Sequence, residues 1–489
     1  MDNLFVTSII AYNLMILAYF LILNSFYLVL LVLASQKLWY HKRRFQTEHW
    51  HSNFLPFIVK LDEEKKSKSL PSLAFIMPSY NEENTILESV NAVSKIDYPY
   101  IEIIVVNDGS NDNTLELLRS SYNLFKDSRA VNEKLQTKKV TNVFKSAIDE
   151  RLLVIDKENG GKADALNAGL NYARSRLFLA VDADSIVDPE AIDKMVQAYL
   201  ERDSKVVGIG GIVRVANGSR IESGKVLEAR MPKEILPGFQ IVEYIRAFLC
   251  GRAGFSKLKN LLIISGAFGL FEVKTVVNIG GYKTNILGED MELVVRLHKH
   301  MRKIKKEYDV VFVPEPVCWT QVPEKYSTLE IQRIRWHQGL IQTLRIHWKM
   351  IFNPKYGTVG TIGMPYFFIF EFLGPIIEIT GYIAFIGGYL LGLLNITFAI
   401  LFFLLAIVFG IIISLFSLLI EEFTVRRYNR PMDVFKLFLI AVFENFGYRQ
   451  LTAWWRVKAT LLLLFRRKKW GQLEKSTFES NEEDLKKYK

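Results

Sequence analysis

Cysteine is nearly absent: only Cys250 and Cys318 occur in 489 residues, and they stand in no metal-ligand spacing. A disulfide framework and a zinc site are therefore excluded as the basis of the fold, and both thiols read as small buried apolar side chains. No small-residue cleavage site follows the amino-terminal apolar run, which argues against a removed signal peptide. No internal repeat is visible, and the stretch from about Pro71 to Leu340 lacks any long hydrophobic run.

What is present is an excess of apolar material at the two ends. The chain is 50% hydrophobic and 13% aromatic, more than one soluble domain needs, yet its 23% charge is too high for a pure membrane bundle. The middle is long enough for one large α/β core. The formal net charge of +11 sits largely beside apolar runs, as in His41-Lys42-Arg43-Arg44, Arg426-Arg427 and Arg466-Arg467-Lys468-Lys469. That placement marks membrane orientation and lipid headgroup contact rather than nucleic-acid binding.

The run from Phe5 to Leu38 predicts a retained transmembrane helix (residues 1–40) with its amino end outside, followed by a polar linker over 41–70. From Ser72 onward, short β-branched runs alternate with helical stretches: Leu73 to Ile76, Ile101 to Val106, Leu152 to Ile155 and Leu177 to Val181. This predicts an α/β domain over 71–350, with a mostly parallel sheet and helices on both faces. Ligands bind such sheets at the carboxyl ends of the strands. The segment Ser120 to Glu150 reads as a surface insertion with some helix. Residues 351–470 predict interfacial and transmembrane helices: two helices joined by a short outer turn, then Val434 to Phe465 as a hairpin that enters and returns, in preference to a single crossing. A polar tail, 471–489, is expected to be disordered. Glu371, Glu378, Glu444 and Arg449 interrupt apolar spans, so they should face a polar path or one another.

Five constellations fall where chemistry is expected. Pro78-Ser79-Tyr80-Asn81-Glu82-Glu83 and Val106-Asn107-Asp108-Gly109-Ser110 each end a strand at the same edge of the predicted sheet and fit a nucleotide pocket, although Asn and Asp there are also ordinary turn and capping residues. Asn159-Gly160-Gly161-Lys162 places two glycines and a lysine before a helix, which suits a diphosphate, or simply makes a Gly-Gly turn with a solvated lysine; it has no Walker spacing. Asp182-Ala183-Asp184 puts two acids on one side of a strand end, a disposition that suits Mg2+ or Mn2+. Gly288-Glu289-Asp290 opens a helix, where Asp290 serves either as cap or as general base. Gln332, Arg335 and Trp336 share a helix face, apt for a sugar ring beside a phosphate or for docking on a membrane surface.

Taken in order, Asp108, Asp182-Ala183-Asp184, Gly288-Glu289-Asp290 and Gln332 to Trp336 resemble the D, DxD, (T/G)ED and QxxRW series of membrane family-two inverting glycosyltransferases, which include cellulose, hyaluronan, chitin and poly-N-acetylglucosamine synthases. The resemblance covers the whole central domain and runs on into the apolar part. It implies a GT-A fold in which Pro78, Tyr80, Glu82, Asp108 and Lys162 hold uridine diphosphate, Asp182 contacts the donor and Asp184, with Asp182, holds Mg2+ or Mn2+. It casts Asp290, beside Glu289, as the catalytic base. Gln332, Arg335 and Trp336 would line the acceptor end, with Gly266, in the loop Ser265-Gly266-Ala267-Phe268-Gly269, beside the acceptor sugar. Gly288 stands where many members have Thr, which keeps the acid pair and alters the turn.

The expected partners are a UDP-sugar, a carbohydrate polymer, membrane lipids, and subunits for export or modification, with no nucleic acid. The expected place is a multi-pass plasma-membrane protein with a cytoplasmic catalytic domain. Two other readings stand beside this one. The same motifs serve single-sugar transfer to a lipid, and a catalytically dead scaffold would have lost Asp184, Asp290 or Trp336, all of which are present.

Overall fold

A computed structural model describes residues 3–47 and 70–465, apart from positions 132, 203, 223–224, 391 and 393–394. The expected linker beyond residue 47, the basic cluster 466–469 and the polar tail lie outside the described residues. The chain divides into two compact units. Among the described residues, Tyr40–Arg230 and Leu261–Val322 make a sheet unit, whereas Met1–Trp39, Met231–Asn260 and Pro323–Glu474 make a helical unit. The α/β block expected as one piece over 71–350 thus yields two segments to the helical unit. The reason is visible in the first of them: the helix Ile235–Ile245 is apolar on nearly every side and buries Leu236 and Phe239 with Leu329, Tyr448 and Trp455.

Among the described residues the sheet unit has twelve strands: β1 (Leu73–Ser79), β2 (Ile101–Asp108), β3 (Leu124–Lys126), β4 (Val140–Ser146), β5 (Leu152–Lys157), β6 (Leu177–Val181), β7 (Ser185–Val187), β8 (Lys205–Val215), β9 (Arg220–Glu222), β10 (Lys225–Glu228), β11 (Phe268–Glu272) and β12 (Tyr308–Thr320). Ten of them form one sheet in the order β3-β4-β5-β2-β1-β6-β11-β8-β12-β7, and β9 pairs with β10 alone. The block β5-β2-β1-β6 is parallel, as the alternation of strands and helices predicts. Its strands are covered on both faces, which is why they are continuous apolar runs, with Leu73 to Met77 wholly buried.

Outside that block the sheet is mixed. β12 runs parallel to β8, whereas β11 runs antiparallel to both β6 and β8, and β3, β4 and β7 also pair antiparallel. The segment Ser120 to Glu150 is no mere insertion: it supplies β3 and β4, which extend the sheet edge onto β5. Its short polar strands carry too weak an alternation to announce themselves. Pro78 is tolerated in a central strand because β6 pairs with β1 only from Leu73 to Ile76, leaving the last residues of β1 bonded on the β2 side.

Among the described residues three helices are long and apolar enough to cross a membrane: Ile10–Arg43, Val359–Leu390 and Ile396–Thr424. Ile16, Tyr19 and Phe20 pack with Phe398 and Phe402, and Leu30 packs with Phe255 and Tyr366. The region Val434 to Phe465 forms two helices, Pro431–Phe443 and Tyr448–Leu464, broken at Glu444 to Gly447; neither is among those three. The ionisable residues of the apolar region take local partners. Glu371 binds Arg456 at 2.8 Å, Glu378 accepts from Tyr382 Oη at 3.2 Å, and Arg449 donates to Asn445 at 2.8 Å. Glu444, fully buried, pairs with Arg246 and accepts from Ser414 Oγ at 2.6 Å. Cys250 and Cys318 are both buried and free, as read from the sequence.

Candidate functional site

The ends of β1 and β2 are adjacent in register, and their turns are stitched together. Asn81 N–H donates to Ser110 Oγ at 3.0 Å, Asn111 N–H to Asn81 Oδ1 at 2.9 Å, and Glu82 N–H to Thr114 Oγ1 at 2.8 Å. Asn81 adopts φ +54°, a left-handed conformation that its side chain tolerates better than most. Glu82 is buried and accepts from Thr85 Oγ1 at 3.0 Å at the start of the helix Ile86–Ser94. Tyr80 is left exposed, free to present its ring to a ligand.

Asp108 ends β2 with its carboxylate turned inward. Oδ1 accepts from Lys157 Nζ at 2.6 Å and from Gly160 N–H at 3.0 Å, and Oδ2 accepts from Gly161 N–H at 2.7 Å. This changes the reading of the glycine pair. The two amide donors that the sequence offers to a diphosphate are already bonded to a protein carboxylate, so Lys162 is left as the group of this turn that can meet an anion. Asp108 itself is buried, and its contacts are to the turn.

The geometry leaves no room at Gly160. A Cβ there would lie 2.5 Å from Asp164 Cγ, and Asp164 cannot swing aside because it holds Lys157 Nζ at 2.7 Å and Lys138 N–H at 3.1 Å. Gly160→Ala is therefore expected to destabilise the folded chain by about 1–3 kcal/mol, the usual range for overpacking. Thermal denaturation of the purified protein checks this, and an unchanged midpoint would show that Asp164 is not locked.

Across the sheet, β6 ends in Asp182-Ala183-Asp184. The turn is held by Ser89 Oγ donating to Ala183 O at 2.7 Å and by Ser185 N–H donating to Asp182 O at 3.0 Å. Lys162, at the first position of the helix Lys162–Tyr172, forms an ion pair with Asp182. Burial opposes the Lys162 ammonium, but the charges of Asp182, Glu289 and Asp290 outweigh it and raise its pKa. Burial, reinforced by the like charge of Asp182, pushes the Asp184 carboxyl up to about 6.

Asp290 enters from the helix Glu289–Lys303. Its Oδ2 accepts from Gly266 N–H at 3.3 Å and its Oδ1 from Met291 N–H at 2.7 Å. A Cβ on Gly266 would stand 3.3 Å from Lys162 Nζ and 3.5 Å from Asp290 Cβ, so the absence of a side chain at Gly266 is what lets these groups converge. Two anchors hold this helix in place. Asn167 bonds both backbone groups of Tyr282, N–H at 2.7 Å and C=O at 2.8 Å. Arg296 binds Glu292, Ile279 O and Gly281 O at 2.6–2.8 Å.

For a divalent ion the protein supplies the two acids of the Asp182–Asp184 turn. Among the described residues no group of three or more His, Cys, Asp or Glu side chains could cage a metal. That donor set fits Mg2+ or Mn2+, which keep few protein carboxylates and complete their shell with water and substrate phosphate.

The sheet unit thus brings together Lys162, Asp182, Asp184, Gly266, Glu289 and Asp290. Gln332, Arg335 and Trp336 belong to the helical unit, on the helix Tyr326–Ile346. Arg335 and Trp336 are exposed there, and Gln332 is half-buried. Arg333, which the sequence does not single out, is the buried member: it binds Glu243 through two bonds of 2.7 and 2.8 Å and lies 4.5 Å from the Trp336 ring centroid. Sequence reasoning also passes over Lys157 and Asp164. The one available signal is that Lys157 shares a strand face with Leu153 and Ile155, both buried, so its side chain must point into the core.

Comparison with known proteins adds three findings. The model of Glycosyl transferase family 2 matches residues 74–271, and that of Glycosyl transferase family group 2 matches residues 177–413. A poly-beta-1,6-N-acetyl-D-glucosamine synthase of Staphylococcus epidermidis is 28% identical over 301 residues, 61% of this chain and 62% of that protein. Its namesake in Staphylococcus aureus is 31% identical over 271 residues, 55% of each chain. The matched region therefore spans little more than half the length of these relatives. Among solved structures, a mannosyltransferase from Pyrobaculum calidifontis in complex with GDP-Man and Mn2+ aligns with 86% of this chain and 99% of its own at 17% identity, with a TM-score of 0.49.

Proposed function

The chain belongs to the family 2 glycosyltransferases, and from that premise we propose that it moves a sugar from a UDP-sugar to the growing end of a β-linked polysaccharide, with inversion, at the cytoplasmic face of a membrane. The observation that carries this reading is the convergence of Lys162, paired with Asp182, on Gly266, which is bonded to Asp290. A cation, an acid pair and a further carboxylate stand there together.

In the proposed reaction the acceptor hydroxyl oxygen attacks the anomeric carbon as its proton passes to the Asp290 carboxylate. The bond from that carbon to the diphosphate oxygen breaks, and UDP leaves with the electron pair. Inversion follows from a single displacement, in which the Asp290 carboxylate takes the proton and forms no bond to the anomeric carbon. Lys162, released from Asp182 by the incoming phosphates, offsets the charge that develops on UDP. Mg2+ or Mn2+ held by Asp184 and Asp182 would supply Lewis-acid stabilisation of the same leaving group. Tyr80 and Pro78 frame the nucleotide side, with Glu82 and Asp108 shaping its turns. Gln332, Arg335 and Trp336 serve the acceptor, and the three apolar helices seat the chain among membrane lipids. Coupled export, and subunits that modify the product, fit a polymer made on the inner face.

The test is to incubate the purified chain in lipid with Mn2+ or Mg2+ and a panel of UDP-sugars, follow UDP release, and size the products. Long product with one donor supports the reading. A single sugar on lipid would replace the polymer with a glycolipid, and no release with any donor would overturn the assignment.

A further inference from the structure

Lys157 is a fully buried charge in the sheet unit that the reaction as proposed does not use. Its side chain has 0% exposure, between Asp108 at 4% and Asp164 at 8%. The ammonium has three N–H donors, and three acceptors surround it: Asp108 Oδ1 at 2.6 Å, Asp164 Oδ1 at 2.7 Å and Glu158 O at 2.6 Å. An ammonium so placed is stable only while all three partners stay, since an unpaired ion in such a site costs several kcal/mol. Each carboxylate in turn holds backbone. Asp108 fixes the N–H groups of Gly160 and Gly161, and Asp164 fixes Lys138 N–H and lies in the first turn of the helix that begins at Lys162. The lysine therefore ties β5, the end of β2 and the start of that helix around the two glycines.

We propose that Lys157 is a positioning residue of the donor site: through Asp108 and Asp164 it sets the Gly160–Gly161 turn and so aims the Lys162 ammonium at the diphosphate. The inference rests on the proposed function in one respect only, that the ligand is a nucleoside diphosphate.

The experiment measures UDP binding by calorimetry, and donor KM and kcat by UDP release, on the full chain in lipid. Three variants are compared: Lys157→Met, Lys157→Arg and the double variant Lys157→Met with Asp164→Asn. Removing the ammonium leaves two facing carboxylates, so the single Met variant has a lowered melting temperature. The double variant removes one of those charges and recovers much of the lost melting temperature. If Lys157 positions the turn, the double variant still binds UDP about tenfold or more weakly, with donor KM raised at least as much and acceptor KM unchanged, an effect of the size expected for misaimed charge contacts. Lys157→Arg, which keeps the charge, falls between. Recovery of UDP affinity together with melting temperature in the double variant would overturn the proposal, because Lys157 would then matter only for folding. If the unaltered chain binds no UDP, the proposed function fails first; if it binds UDP and the variants match it, only the present inference fails.

Discussion

Asp290→Asn is expected to lower kcat for sugar transfer by ~10²–10⁴-fold while donor affinity stays close to that of the unaltered chain, the span usual for loss of a general base. Asparagine keeps the shape, and with its amide oxygen turned to Gly266 N–H it still anchors the loop Ser265 to Gly269 on the helix Glu289–Lys303, giving up only the bond from Met291 N–H. What it cannot do is take the hydroxyl proton. UDP release and UDP calorimetry, run side by side, separate the two effects. A variant that loses binding and turnover equally would reduce Asp290 to a cap of that helix, the alternative its position in the first turn also permits.

Divalent-ion affinity should fall in acid, with its midpoint near the Asp184 pKa. The sign follows from the cause: burial and the Asp182 charge favour the neutral carboxyl and place its pKa at about 6. A cation binds the ionised form, so binding releases a proton and weakens as pH drops through that value. With UDP present, Mn2+ affinity is expected to be flat above about pH 7 and to fall roughly tenfold per unit below about pH 6, as for one competing proton. Asp184→Asn should abolish the slope and most of the affinity, and turnover should vanish with a chelator and return with excess metal. Paramagnetic resonance of free Mn2+ reads the titration directly. Equal affinity at about pH 5 and about pH 7.5 would remove Asp184 from the ion's shell.

Much of the sheet unit is legible in the chain because a parallel strand covered on both faces must be a continuous apolar run. Leu73 to Met77, Ile101 to Val106, Leu152 to Ile155 and Leu177 to Val181 meet that condition, and β1, β2, β5 and β6 lie there. β3 and β4 form the last two strands at one end of the sheet, with only Phe144 and Ser146 buried, so their polar composition hides them. The direction of β11 was equally hidden: Phe268 to Glu272 pairs with β6 and β8 through the backbone, which the side chains do not encode. At the site, Asp182, Asp184 and Asp290 stand out because carboxylates at strand or helix ends are conspicuous. Lys157 does not, since a lysine in sequence is most often a solvated one.

Hydrophobic periodicity and charge placement thus determined, by themselves, that this chain carries a central α/β domain between apolar helices, and which acids and bases end its strands. Those are local properties, set by what each residue can bury and where a strand must stop. The tertiary structure alone decided what each group touches. It turned Asp108 onto the amides of Gly160 and Gly161 rather than toward solvent, buried Lys157 between two carboxylates, and assigned Met231–Asn260 to the helical unit. The physical reason is one of range: burial preference is written residue by residue, whereas a hydrogen bond or ion pair between positions about fifty apart exists only once the backbone has brought them within about 3 Å.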